Sequence, residues 1–210
     1  GCGSISFSGF TGTLAGSAAI NISGSLTLAS GMTRTYTGTI TFNATSGTST
    51  ITSNGKALDS SITFNGVGGA WQLGDDMTTG SSRTVTLTNG AFDANNHNIT
   101  MGIFSSSNSN ARTIIMGSGT WTLTGSGTTI WTTSTVTNLS FSRGNDVVLN
   151  YSGSTGTRTV TAGLTGGSEA YAVGFKVTAG SDIFTVSSSN SQRIYNLIFD
   201  GFTGIFSVGS

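Results

Sequence analysis

The sequence predicts an all-β protein whose strands stack coil upon coil. Three observations lead there. Apolar residues alternate with Thr, Ser and Asn over short runs. Near-identical strand phrases return at coil-length intervals. Proline is absent, while glycine supplies 32 of 210 residues.

The alternation is clearest in "RTYTGTITF" (34–42). Tyr36, Ile40 and Phe42 share one side of an extended chain, and Thr35, Thr37, Thr39 and Thr41 share the other, which is the period of a half-buried strand. "RTVTL" (83–87), "TWTLT" (120–124) and "RTVT" (158–161) repeat it, with Gly, Asn and Ser clusters acting as turns between them. No stretch has a helical period.

The recurrence is carried by a polar–aliphatic–small–Phe–polar phrase at "SISFS" (4–8), "TITFN" (39–43), "SITFN" (61–65), "NLSFS" (138–142), "AVGFK" (172–176) and "NLIFD" (196–200). Its phenylalanines are Phe7, Phe42, Phe64, Phe141, Phe175 and Phe199, which form two triplets offset by 133 to 135 residues. In the same register, Gly66, Gly69 and Trp71 align with Gly201, Gly204 and Phe206. "FSGFTG" (7–12) reappears as "FDGFTG" (199–204), and "RTVTLTNGAFD" (83–93) as "RTIIMGSGTWT" (112–122). Fixed periods of this kind signal units that bury their apolar faces only against their neighbours. The predicted fold is therefore a parallel β-helix, or β-solenoid, of roughly nine coils and about 45 Å length at about 4.8 Å per coil. Antiparallel β-sandwich repeats are the alternative. The expected core stack is Phe7, Phe42, Phe64, Phe141, Phe175, Phe199, Trp71 and Phe206. The reading is one solenoid segment over 1–210, with repeats at 1–75 and 135–210 flanking a middle block at 76–134. With no initiator Met and no polar cap at either end, it is expected to belong to a longer chain or assembly.

Composition narrows the function classes. Charged residues are 8% of the chain, against roughly 25% in ordinary globular proteins. The formal net charge is zero, and the charges are scattered. No basic stripe can neutralise phosphates, so nucleic acid is not an expected partner. Near-zero net charge favours self-association. No apolar run is long enough to span a bilayer as a helix. Cys2 is the only cysteine, so an intrachain disulfide and a cysteine-built zinc site are excluded.

"TSTITSNGKALDSSITFNG" (48–66) and "TLTNGAFDANNHNITMG" (86–102) resemble the strand–turn–strand phrases of parallel β-helix proteins. More closely, they are similar to repetitive Gly/Ser/Thr-rich appendage- or adhesin-like proteins of bacteriophage and environmental microbes. The resemblance spans most of the chain and implies a right-handed helix on a virion, cell surface or extracellular filament. The implied partners are copies of the same chain, its own continuation, or cell-surface glycans. No cofactor is implied.

Individual residues offer weaker leads. Asp75 and Asp76 are the only paired carboxylates, and glycoside cleavage needs two. Adjacent strand residues point to opposite faces, however, and the Gly-His-Gly and Arg-x-Lys motifs of polygalacturonase-like enzymes are missing. His97 is the only histidine and sits in a polar turn. The Arg-Thr pairs at Arg34, Arg83, Arg112 and Arg158 suggest outward cations, either solubilising the surface or binding acidic glycans. Trp71, Trp121, Trp131, Phe92 and Tyr195 read mostly as core, with Trp131 the expected exposed ring. Alternating threonines over 33–41 suit an ice-binding array, which needs Thr-x-Thr pairs in register on many coils, but here the pairs fall in clusters and not at one fixed phase. The expected function is a structural or adhesive scaffold and not an enzyme. A tailspike-like polysaccharide depolymerase and a glycan- or ice-binding module are the alternatives.

Overall fold

The structure, a computed structural model, describes residues 1–125, 129–152, 156–163, 169–187 and 193–209. Apart from one short 3-10 turn at Glu169–Tyr171, its regular elements are strands. All their named pairings are parallel. A sandwich of hairpins would be antiparallel. The protein is a β-solenoid of about nine turns. No helix among the described residues is long and apolar enough to cross a membrane.

Each coil visits three faces. The first face holds Ile20–Ile22, Ile40–Phe42, Ile103–Ser105, Thr129–Thr133, Arg158–Ala162, Ile183–Val186 and Ile205–Val208, together with the leading halves of Ile62–Leu73 and Thr84–Asp93. The second holds the trailing halves of those two long strands, with Ile5–Ser6, Leu26–Thr27, Thr48–Thr52, Arg112–Ile115 and Leu139–Ser142. The third runs from Met77–Thr78 through Ile99–Met101, Trp121–Leu123, Val147–Asn150 and Val173–Thr178 to Ile194–Asp200.

The inward row of the first face shows how the coils stack. Ile20, Ile40, Ile62, Val85, Phe104, Trp131, Val160, Val186 and Val208 follow one another in register, at steps of 19 to 29 residues. Extra residues enter mainly at turns, so the ladder keeps its register while coil length varies. Glycine makes the corner between the first and second faces. A Cβ on Gly66 or Gly69 would strike the Ala44 carbonyl. Gly90 has φ +82°, and a Cβ there would lie 2.7 Å from the Gly66 oxygen. Only a residue without a side chain lets neighbouring coils nest there.

Aromatic rings fill the lumen. Phe42 stacks on Phe64 at 5.3 Å between centroids, and Phe64 on Phe92 at 4.7 Å. Trp71 packs on Phe64 at 5.2 Å. The series continues through Trp121, Phe104 and Trp131 to Phe175. All eight rings are buried. The recurring phenylalanines of the sequence do not form a single column. Phe42 and Phe64 lie on the first face, Phe141 on the second, and Phe175 and Phe199 on the third. Phe7 follows the second-face strand Ile5–Ser6 and is half-buried, as is Phe141. Phe175 pairs with Leu197, two residues short of Phe199. Phe199 and Phe206 touch at 5.3 Å but remain 41% and 44% exposed on the last coil.

Candidate functional site

The carboxylates are dispersed and tied to turns. Asp75 accepts hydrogen bonds from the Ser53 and Asn54 amides and from the Ser53 hydroxyl, which closes the turn of the coil beneath it. Asp76 instead accepts from the Asn98 amide at 2.8 Å and its side-chain nitrogen at 2.9 Å, on the coil above. Asn98 in turn accepts from the Thr120 amide at 2.9 Å. Asp93 caps the Asn95 amide, and Asp146 accepts from Asn196. His97 stands 3.6 Å from Asp76 in the same corner. Asn54, Asn95 and Asn96 take positive φ there, a conformation asparagine tolerates. The corner is a polar ladder that stitches one coil's turn to the next. Among the described residues, no three His, Cys, Asp or Glu converge on one point.

The two hydrogen bonds from Asn98 hold the Asp76 carboxyl below its ordinary value. A depressed folded pKa contributes stability that is present above the unfolded value and lost as pH falls through the folded one. Asp76 is 61% exposed, so the effect is small. Asp76→Asn is expected to melt slightly below the wild type at neutral pH. The two melting curves should converge as pH falls through the depressed folded pKa of Asp76, below which both side chains are uncharged. A gap that persists at low pH would assign the loss to shape and not to charge.

Three of the four Arg-Thr arginines point inward, which overturns the outward reading. Arg112 and Arg158 are 2% and 1% exposed. Arg112 donates to the carbonyls of Ser106, Asn110, Thr135 and Thr137 and to the Ser106 hydroxyl. Burial pulls its pKa down, but backbone oxygens surround it in place of a carboxylate. Arg158 lies 4.1 Å over the Tyr151 ring and donates to the Asn150 carbonyl at 2.6 Å. Burial raises the Tyr151 hydroxyl well above its ordinary value. Arg34 reaches the Ser60 hydroxyl at 2.5 Å. Arg83 alone faces solvent, 2.8 Å from Asp59. Alternation alone does not separate them: all four arginines, Arg83 included, sit two residues before a buried Tyr36, Val85, Ile114 or Val160, and the partners each meets on neighbouring turns decide which turn inward. A cation column for acidic glycans therefore does not form.

Nor do the aromatics make a platform. Trp71, Trp121, Trp131 and Phe92 are buried, so the expectation that Trp131 is exposed fails. Tyr195 is exposed, with the Arg143 guanidinium 3.4 Å over its ring.

The outward positions of the first face are different. Asn21, Thr41, Thr63, Thr86, Ser105, Thr132 and Thr161 stand in one unbroken register. Two residues earlier on the strands, Thr84 pairs with Ile103, and Thr159, Thr185 and Ser207 follow one another in register, with Thr129, three residues before Thr132, paired to Thr159. One irregularity interrupts the pairing, between Thr129 and Trp131. The other two faces are mixed. The second carries Gln72 and Asp93 in register, and the third carries Lys176 and Ile198. One threonine or serine from each of six successive coils thus shares a phase on this face, while Thr33 and Thr122 lie on other sheets. Coil lengths vary, so equal spacing along the chain could not reveal it.

Compared with protein-family models, curated proteins and solved structures, the chain matches none.

Proposed function

We propose that this chain is a structural or adhesive β-solenoid segment of an extracellular filament or of a phage fibre or tail appendage. The carrying observation is the parallel stack, whose lumen is filled by packed rings from Phe42 to Phe175. Such a rod takes its rigidity from hydrogen bonds along its axis and offers its outer faces for contact. The tying of Asp75 and Asp76 to neighbouring turns supports a scaffold over a depolymerase. Stacking of further coils, from more of the chain or from a second copy, is the natural partner. Ile205, Phe206 and Val208 are 61%, 44% and 67% exposed among the described residues, and exposed apolar side chains favour association.

Light scattering and negative-stain microscopy test this. The purified chain should form elongated particles whose mass rises with concentration, and Phe206→Lys combined with Val208→Lys should stop that growth. Particles that stay globular and monomeric at every concentration would overturn the reading. So would release of reducing ends from bacterial polysaccharides.

A further inference from the structure

We propose that the first face is an ice-binding surface, one that takes up an ordered layer of water continuous with an ice crystal. The inference goes beyond the scaffold reading, which fixes the rod but not what any face recognises.

Four observations carry it. First, Thr41, Thr63, Thr86, Ser105, Thr132 and Thr161 place a hydroxyl on six successive coils in register. At about 4.8 Å between strands, that row is about 24 Å long. A second, shorter set of hydroxyls lies two residues away along the strands, about 6.6 Å, at Thr84 and at Thr159 with Thr185 and Ser207, with Ile103 standing between the two groups. The first row thus repeats hydroxyls at one regular spacing, as contact with a periodic layer of water requires. Second, among the described residues none of the hydroxyls of Thr41, Thr63, Thr86, Thr132 and Thr161 bonds within the chain, in contrast to the Thr124 and Thr203 hydroxyls, which bond to backbone carbonyls. Their hydrogen-bonding capacity is left for water. Third, these two rows carry no charged and no aromatic side chain. They offer a sugar ring no aromatic face to stack on, and no charge that would hold water in shells unlike a lattice. Fourth, threonine is stiff at χ1. The array of methyls and hydroxyls is therefore ordered before contact, and little side-chain entropy is lost on binding. The methyls between the hydroxyls favour caged water, while the hydroxyls anchor it.

The second and third faces serve as internal controls, since Asp93 and Lys176 break their hydroxyl rows. Thermal hysteresis and ice recrystallisation are measured for the wild type, for Thr86→Lys with Thr132→Lys on the first face, and for Thr122→Lys on the third. Circular dichroism and melting confirm that each remains a folded solenoid. The wild type should separate freezing from melting and keep ice grains small. The first-face variant should fall to the buffer baseline, and the third-face variant should keep wild-type activity. A wild type indistinguishable from albumin overturns the proposal. So does equal loss in both variants, or binding to crystalline cellulose or chitin without effect on ice. Because rod formation is read by light scattering, failure here leaves the scaffold reading standing, and failure there leaves this one.

Discussion

Phe64→Ala is expected to lower the unfolding free energy by about 3–5 kcal/mol, the range for truncating a buried aromatic side chain. Phe64 is fully buried and contacts Phe42, Trp71 and Phe92. The lumen cannot close over the gap, because hydrogen-bonded ladders hold the coils at a fixed spacing on the surrounding faces. The lost contacts therefore remain as a cavity. In a solenoid the damage also passes to neighbours, since each coil's stability includes its interfaces with the coils on either side. Urea denaturation followed by circular dichroism should show a lower midpoint. Phe10→Ala, at a ring 39% exposed, should move the midpoint far less. Equal shifts for the two would mean that the aromatic spine is not what holds the rod.

The second large effect is expected at Arg112. Replacing it with methionine keeps much of the volume but removes every donor, leaving four backbone carbonyls without their partner. An unsatisfied buried acceptor costs about 1–3 kcal/mol. Some of these oxygens will find water, so the total loss should be about 3 kcal/mol. The segments around Ser106–Asn110 and Thr135–Thr137, which Arg112 joins, should also exchange amide hydrogens faster. Arg112→Lys should rescue little, because a single ammonium cannot reproduce the planar fork. Arg83→Met, which removes only the exposed pair with Asp59, should leave the melting temperature nearly unchanged. A benign Arg112→Met would show that those segments are held by their own turns.

The polar corner shows how a site is misread from residue type alone. Asp75 and Asp76 attract notice as a carboxylate pair, yet each serves a different neighbouring coil. A carboxylate that accepts backbone N–H groups is well suited to closing a turn. Sequence adjacency carries no information on which coil lies above or below, so that role emerges only with the stack.

Local alternation by itself determined that Tyr36, Ile40 and Phe42 point one way and the threonines between them the other. Together with recurring glycine turns, it also determined a coiled, parallel architecture of about nine turns. What it left open is which face each phrase occupies. "FSGFTG" and "FDGFTG" build similar turns, with Gly9 at φ +76° and Gly201 at φ +71°. Yet the first leads from the second face to the side of Thr13–Leu14, and the second from the third face to the first. A strand-and-corner phrase is interchangeable among corners because its conformation depends only on nearby residues. Its face depends on how many residues all the preceding coils have used. With steps of 19 to 29 residues, only the folded stack decides which phenylalanines meet in the lumen and which threonines line up outside.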